Sequence, residues 1–196
     1  MALKKGNEIP TIDVVLVTVK TGLKEYALDT ASKIGVNVQT ETTDAVKLIV
    51  KGRLITQKNK TTTITGNTIV LTDNVFNPEL VQAMQGGEIT YWSSGEHTET
   101  TGTDAGFGVA SYTPPVSGSD NSVTPFTLCA YSAVYNAAGL ITGYEKIEYP
   151  NCVGDPIALN SEDGVFRAPE YTINSAPDNG QPPYKITYSD DLPEVS

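Results

Sequence analysis

Alternating apolar and polar positions recur in short runs along the chain, and turn residues separate the runs. These runs are rich in Val, Ile and Thr and have the length of β-strands. Gly22, Gly52 and Gly139 stand at three of the turns between them. The pattern predicts a mainly-β protein, a β-sandwich or barrel. The predicted strands are 12–19, 34–39, 46–50, 54–55, 61–71, 88–92, 126–135, 140–149, 153–159, 165–173 and 184–188.

One segment, residues 78–85, has the spacing of a short flanking helix. Asn77 is a favourable N-cap residue, Pro78 suits the first helical position, and Glu79 places an acid in the first turn. Apolar residues on one face and a terminating glycine pair follow: Leu80, Val81 and Met84, then Gly86-Gly87. A helix this short is marginal alone, so we expect its apolar face to pack on the sheet.

The clearest hairpin joins 126–135 to 140–149 through Asn136-Ala137-Ala138-Gly139. If residue 136 faces 139, Cys129 faces residue 146 and lies far from Cys152. The two cysteines are therefore predicted to be buried free thiols.

A single domain over 1–196 is predicted, with an N-terminal arm (1–11), a β core (12–175) and a C-terminal arm (176–196). Residues 93–125 contain few large apolar side chains, which predicts a loop well beyond the usual length. Loops this long in compact domains are often functional. The longest clean apolar run, Val14 to Val17, predicts no membrane span.

Charge is unevenly distributed over the 196 residues, which carry 13 Lys+Arg, 23 Asp+Glu and a net charge of −10. Residues 1–60 have a net charge of +4, and residues 61–196 have one of −14. The acidic excess argues against a groove that grips DNA phosphates, which needs clustered cations. The asymmetry permits self-association, because a basic region of one copy can meet an acidic region of another.

Candidate chemical groups do not assemble into an active site in the sequence. His97, the only histidine, lies in a polar stretch, and Glu145 and Glu148 should lie on opposite faces of one strand. Three further groups have the residue types of a binding site, but a structural role is favoured for each. They are a calcium site of Asp155, Asn160, Glu162 and Asp163, a phosphate loop of Gly102, Gly106 and Gly108, and a sugar-stacking pair, Tyr91-Trp92. We expect no enzyme, metal or cofactor.

Two stretches resemble a known family. One is Leu71 to Gly87; the other is Phe126 to Tyr188, which includes Tyr144-Glu-Lys-Ile-Glu-Tyr-Pro150 and Gly164-Val-Phe-Arg-Ala-Pro-Glu-Tyr-Thr-Ile173. Together they resemble the tail tube (major tail) proteins of tailed bacteriophages and prophages of Gram-positive bacteria.

The resemblance implies a structural subunit of the virion tail, assembled in the host bacterial cytoplasm. It implies six-membered rings that stack into a hollow tube through which DNA passes without specific binding. Sheath, tape measure, terminator and baseplate proteins are the further partners it suggests. A terminator, distal tail or baseplate ring protein is the alternative within this setting, and a carbohydrate-binding adhesion module using Tyr91 and Trp92 is a less favoured one.

The densest basic run is the sequence's candidate contact site: Lys47, Lys51, Arg53, Lys58 and Lys60. Two interpretations stay open. The run is either a solvated hairpin face or a surface that docks against acidic residues of a neighbouring subunit or ring.

Overall fold

A computed structural model describes residues 8–22, 24–92, 108–118, 123–178 and 180–194. This part of the chain forms twelve strands and one helix. The elements are β1 (Thr11–Thr21), β2 (Lys24–Leu28), β3 (Ala31–Thr43), β4 (Val46–Val50), β5 (Arg53–Lys58), β6 (Thr61–Asp73), α1 (Pro78–Gln85), β7 (Glu88–Tyr91), β8 (Val109–Thr113), β9 (Phe126–Tyr135), β10 (Ile141–Gly154), β11 (Glu170–Ser175) and β12 (Lys185–Ser189).

Eight strands form one sheet in the order β2-β1-β9-β10-β11-β6-β3, with β12 paired to β10, and all pairings are antiparallel. The hairpins β4–β5 and β7–β8 are separate two-stranded sheets. The expected mainly-β fold with one short helix is confirmed. Among the described residues, no helix has the length and apolarity needed to cross a membrane.

The core lies between the inward faces of these strands and α1. Its buried members come from seven strands and the helix, which is why the sheet must curl around them. The largest fully buried side chains include Tyr171, Phe126, Ile69, Leu71 and Leu80.

Helix α1 has the predicted ends. The Asn77 side chain accepts a hydrogen bond from the Leu80 amide at 2.9 Å, and Pro78 occupies the first turn. Leu80, Val81 and Met84 are buried, so the apolar face packs on the core as expected.

Strands β3 and β6 form a long ribbon of 13 residues each. Ala31 pairs with Asp73 at one end, and Thr43 pairs with Thr61 at the other. The Asp73 end belongs to the core, whereas every residue from 36 to 65 is exposed. A bulge near Gly66 lies where the buried part of β6 begins. The ribbon therefore leaves the body of the protein and carries β4–β5 at its far end.

The segment predicted as a C-terminal arm lies against the sheet over its described part. Strand β12 pairs with β10, the Asn67 side chain donates to the Pro183 carbonyl at 2.9 Å, and Leu192 packs on Leu16, Cys129 and Tyr131. These contacts anchor the segment up to residue 192.

Several sequence predictions differ from the structure. Within the predicted loop 93–125, residues Val109–Thr113 form β8, which pairs with β7. The predicted strand at 153–159 is wrong beyond Gly154, and the strand predicted at 165–173 begins only at Glu170. Pro156 and Pro169 lack the amide donor that a strand ladder needs, and both mark these boundaries.

Candidate assembly surface on an exposed hairpin

The hairpin β4–β5 is built on a two-residue turn. Lys51 and Gly52 connect the paired residues Val50 and Arg53, and both turn residues have positive φ, 48° and 76°. Such a turn matches the twist of the flanking strands. A bulge between Leu48 and Ile49 changes the register.

Both faces of this hairpin are exposed and apolar. All 11 strand residues are exposed. Val46, Leu48 and Val50 alternate along one face of β4, and Ile49 pairs with Leu54 on the other. The exposed fractions of the large apolar side chains are Val46 66%, Leu48 52%, Ile49 58%, Val50 47%, Leu54 50% and Ile55 55%.

The five basic residues predicted as contacts all lie on this hairpin or at its base, and all are exposed. Lys51 and Arg53 are at the tip, whereas Lys58 and Lys60 are at the base, beside the junction with β6. Residues 46–60 contain no acid. In the described part of the chain the one ion pair joins Lys146 to Glu148 at 2.9 Å, so the cations of the hairpin have no acidic partner among the described residues.

This combination is unusual for a surface that stays in water. An isolated two-stranded hairpin is marginally stable, and clustered exposed apolar side chains are typical of interaction sites. The long aliphatic stems of Lys and Arg add to the apolar area while their charges select an acidic partner. The arrangement is suited to docking, which is the second of the two interpretations left open by the sequence.

Glu145 and Glu148 lie, as predicted, on two different faces of β10. Glu145 accepts a hydrogen bond from the Tyr188 hydroxyl at 2.8 Å, while Glu148 pairs with Lys146. Partial burial lowers the pKa of Lys146, but the hydrogen bond to Glu148 and nearby charges outweigh it and raise the pKa above its ordinary value. The Glu145–Tyr188 pair joins β10 to β12, and the Lys146–Glu148 pair lies within β10.

In the acidic loop considered as a calcium site, the first carboxylate, that of Asp155, is hydrogen-bonded to a neighbouring strand. Asp155 accepts a hydrogen bond from the Asn174 side chain at 3.1 Å. Over the described ranges, no group of three or more His, Cys, Asp or Glu residues is arranged to hold a metal ion.

The aromatic pair at the end of β7 is partly exposed. The Tyr91 hydroxyl lies 3.5 Å from a carboxylate oxygen of Glu79, and the Trp92 amide donates to the Gly108 carbonyl. Burial, then the charge of Glu79, raises the pKa of Tyr91. His97, Gly102 and Gly106 lie outside the described residues.

Both cysteines are free and buried, as predicted. Burial raises the pKa of the Cys129 thiol, and it raises that of Cys152 to about 11. Cys129 faces Glu148 rather than residue 146, because the turn leaves Tyr135 paired with Ile141 and a bulge follows before Gly143.

Sequence reasoning missed the exposed apolar side chains of the candidate surface. The apolar run at 46–50 predicts a strand, and in the structure all five of its residues are exposed. One sequence feature indicates this surface: no Asp or Glu occurs between Lys47 and Lys60, so these cations have no acid nearby in the sequence with which to pair.

No protein-family model matches the chain, and no curated protein matches it. One similar solved structure is a chain of the anti-feeding prophage (AFP) baseplate, determined by cryo-EM with six-fold symmetrisation. The two are 9% identical over 96% of this chain and 95% of that chain, with a TM-score of 0.32. A likeness this weak carries no argument about the function of this chain.

Proposed function

We propose that this chain is a structural subunit that assembles with copies of itself into the tail tube of a bacteriophage or prophage-derived particle. The observation that carries the proposal is the projecting hairpin β4–β5, which, with the residues at its base, exposes six large apolar residues and five cations. The proposed role is structural and non-catalytic.

Self-assembly explains why such a hairpin is tolerated. Docking onto another copy removes its apolar side chains from water and supplies acids for its cations. A contact between two different patches of identical subunits is heterologous, so it closes into rings or propagates as a filament. In a stack of six-membered rings, contacts within a ring close and contacts between rings propagate along the axis.

The acidic excess of the remaining chain suits a conduit for DNA. Side chains of Asp and Glu facing a channel repel phosphates, so DNA slides through without being held. The proposed location is the virion tail, with assembly in the host bacterial cytoplasm. A single terminator, distal tail or baseplate ring is the second candidate, since the same hairpin serves a ring that does not stack.

Charge reversal at the base of the hairpin tests self-assembly. We expect Lys58→Glu with Lys60→Glu to stop polymerisation while the monomer keeps its circular dichroism spectrum, because both side chains are exposed and neither forms an ion pair with a described residue. The matched control is Lys24→Glu with Lys33→Glu, which changes the net charge equally at exposed positions outside the hairpin.

Electron microscopy and sedimentation velocity of the purified proteins decide the outcome. Long hollow tubes of the wild-type protein, absent from the hairpin variant but present for the control, support the tube subunit. Isolated wild-type rings favour the second candidate. A wild-type protein that stays monomeric at all concentrations contradicts both.

A further inference from the structure

An acidic pocket lies where the turn between β2 and β3 meets the beginning of α1. It has a volume of about 260 Å³ and is lined by Asp29, Asp73 and Glu79, together with neutral residues. No Lys, Arg or His lines it. Three carboxylates in one small concavity create a site for a positively charged group.

Asp73 is the deepest of the three acids. Its side chain is 1% exposed, and its Oδ1 accepts hydrogen bonds from the Thr30 hydroxyl at 2.6 Å and the Val75 amide at 3.4 Å. The second oxygen, Oδ2, is buried and has no hydrogen-bond partner among the described residues. A buried carboxylate oxygen without a hydrogen bond destabilises the fold, so a donor from outside that bonded to this oxygen would gain binding free energy.

The described part of the chain supplies no cation to this pocket. Arg167 stacks over Phe76 at the rim, 5.6 Å from the ring centroid, but its Nη2 donates to Ser161 and it forms no ion pair with the three acids. Among the described residues, these three acids are not arranged as a group that could hold a metal ion. The chemistry of the pocket therefore fits an ammonium or guanidinium group from outside.

The pocket and the hairpin tip lie at opposite ends of the β3–β6 ribbon. Asp73 pairs with Ala31 where the ribbon begins, and β4–β5 follows Thr43 where it ends. Lys51 and Arg53, at the tip, are exposed cations with no acidic partner in the described part of the chain. One end of the ribbon is thus acidic and concave, and the other is basic and projecting.

A chain cannot place this tip in its own pocket. The 13 residues of β3 span about 40 Å at ~3.3 Å per residue. The chain from Thr43 to Lys51, eight residues, reaches at most about 28 Å even when fully extended. A hairpin folded back along the ribbon stops short of Asp73, so the contact has to be intermolecular.

We propose that the acidic pocket of one copy receives the cationic hairpin tip, Lys51 and Arg53, of a second copy. The inference rests on the proposed self-assembly and names the docking site on the partner. A tip and a pocket at opposite ends of one ribbon give a head-to-tail contact, which propagates from copy to copy along the ribbon direction.

Charge exchange between the two ends tests the proposal. The tip-reversed variant is Lys51→Glu with Arg53→Glu, and the pocket-reversed variant is Asp29→Lys with Glu79→Lys. Each alone should raise the concentration needed for assembly by about tenfold or more, because every contact then joins like charges. Mixed in equal amounts, the two should co-assemble, since each variant's tip now complements the other's pocket.

The controls separate docking from folding and from bulk charge. Asp29→Asn with Glu79→Gln weakens the pocket without adding cations, and it should raise the required concentration less than the reversal does. Glu162→Lys with Asp163→Lys changes net charge equally on an exposed loop and should assemble like the wild type. Circular dichroism and thermal melting of each variant establish that its monomer is folded.

Light scattering against concentration, followed by electron microscopy, gives the result. Assembly of the mixture but of neither reversed variant alone supports the proposal. A folded pocket-reversed variant that assembles at the wild-type concentration overturns it while leaving self-assembly intact, as does a mixture that stays monomeric. Thermal stabilisation of the wild-type monomer by calcium, reversed by EDTA and lost in Asp29→Asn with Glu79→Gln, overturns it in favour of a metal ion.

Discussion

The two cysteines show how position within a sheet sets the behaviour of a side chain. Cys152 belongs to the main core and is fully buried, whereas Cys129 lies on the opposite face of the sheet beneath Leu192. The Cys152 thiol donates to the Tyr149 carbonyl at 3.3 Å and has a pKa of about 11, mainly because burial disfavours the thiolate. Ionisation of this thiol therefore lowers the free energy of unfolding.

Stability should fall with rising pH in a window that Cys152 defines. Its folded pKa of about 11 lies above the ordinary value of 9.0. The folded state thus holds the proton more tightly, so this stabilisation is present below about pH 9 and is lost as the pH rises to about 11. The two-unit difference corresponds to roughly 3 kcal/mol.

Urea unfolding of the wild type and of Cys152→Ala between pH 8 and 11 measures this effect. The alanine variant should be less stable at pH 8, because it leaves a cavity, and the gap between the two should narrow as the pH rises. Tyr149→Phe is the control, since the pKa of Tyr149 is raised to about 12 and its effect begins only above pH 10. Parallel profiles of wild type and Cys152→Ala would contradict the assignment.

At the scale of elements, the chain signals local structure well and long-range pairing poorly. Helix α1 and strand β4 have their predicted bounds, because a cap, a proline and a tight turn each act within a few residues. Strand β2 was missed, since its five residues include two charged side chains. Strand β8 was missed too, because its pairing with β7 is determined by a partner distant in sequence.

The β3–β6 ribbon depends on a glycine at its bulge. Gly66 is buried, and a Cβ built there would collide with the Ser175 carbonyl of β11. We expect Gly66→Ala to cost about 1–3 kcal/mol, because the colliding group is backbone and has no free rotamer. Gly35→Ala is the matched control in the paired strand, where the nearest atom is the Val70 carbonyl oxygen at 3.9 Å.

Thermal and urea unfolding of the two glycine variants compare the sites directly. Gly35→Ala should remain within about 0.5 kcal/mol of the wild type. Equal decreases in unfolding free energy at the two positions would contradict this explanation. They would show that replacing any glycine in these strands is destabilising, whether or not β11 is close.

At the scale of the whole molecule, the basic part of the proposed contact can be read from the sequence, whereas the acidic pocket cannot. The cations from Lys47 to Lys60 are contiguous in the chain, so composition reveals them. The pocket joins Asp29, Asp73 and Glu79 through a turn, a strand end and a helix start, and only the pairing of Ala31 with Asp73 brings them together. Its depth, including the unpartnered oxygen, depends on tertiary packing.

Removing the hairpin should separate folding from assembly. A variant in which Asn-Gly directly joins Thr43 to Thr61 keeps the ribbon, because these two residues are paired and a two-residue turn suits their connection. Residues 44–60 are all exposed, so their loss removes no core contact. We expect the unfolding free energy of the monomer, measured at high salt and low concentration, to change by less than about 1 kcal/mol.

The same variant should form neither tubes nor rings by electron microscopy. A companion variant keeps every charge but replaces exposed apolar residues with threonine: Val46→Thr, Leu48→Thr and Ile55→Thr. If the hairpin docks through both apolar and ionic contacts, this variant should assemble only at higher protein concentration. Added salt should then abolish its remaining assembly, because salt screens the ion pairs. Assembly of the hairpin-free protein at the wild-type concentration would place the contact elsewhere on the molecule, whereas its failure to fold would mean that the hairpin belongs to the folding unit.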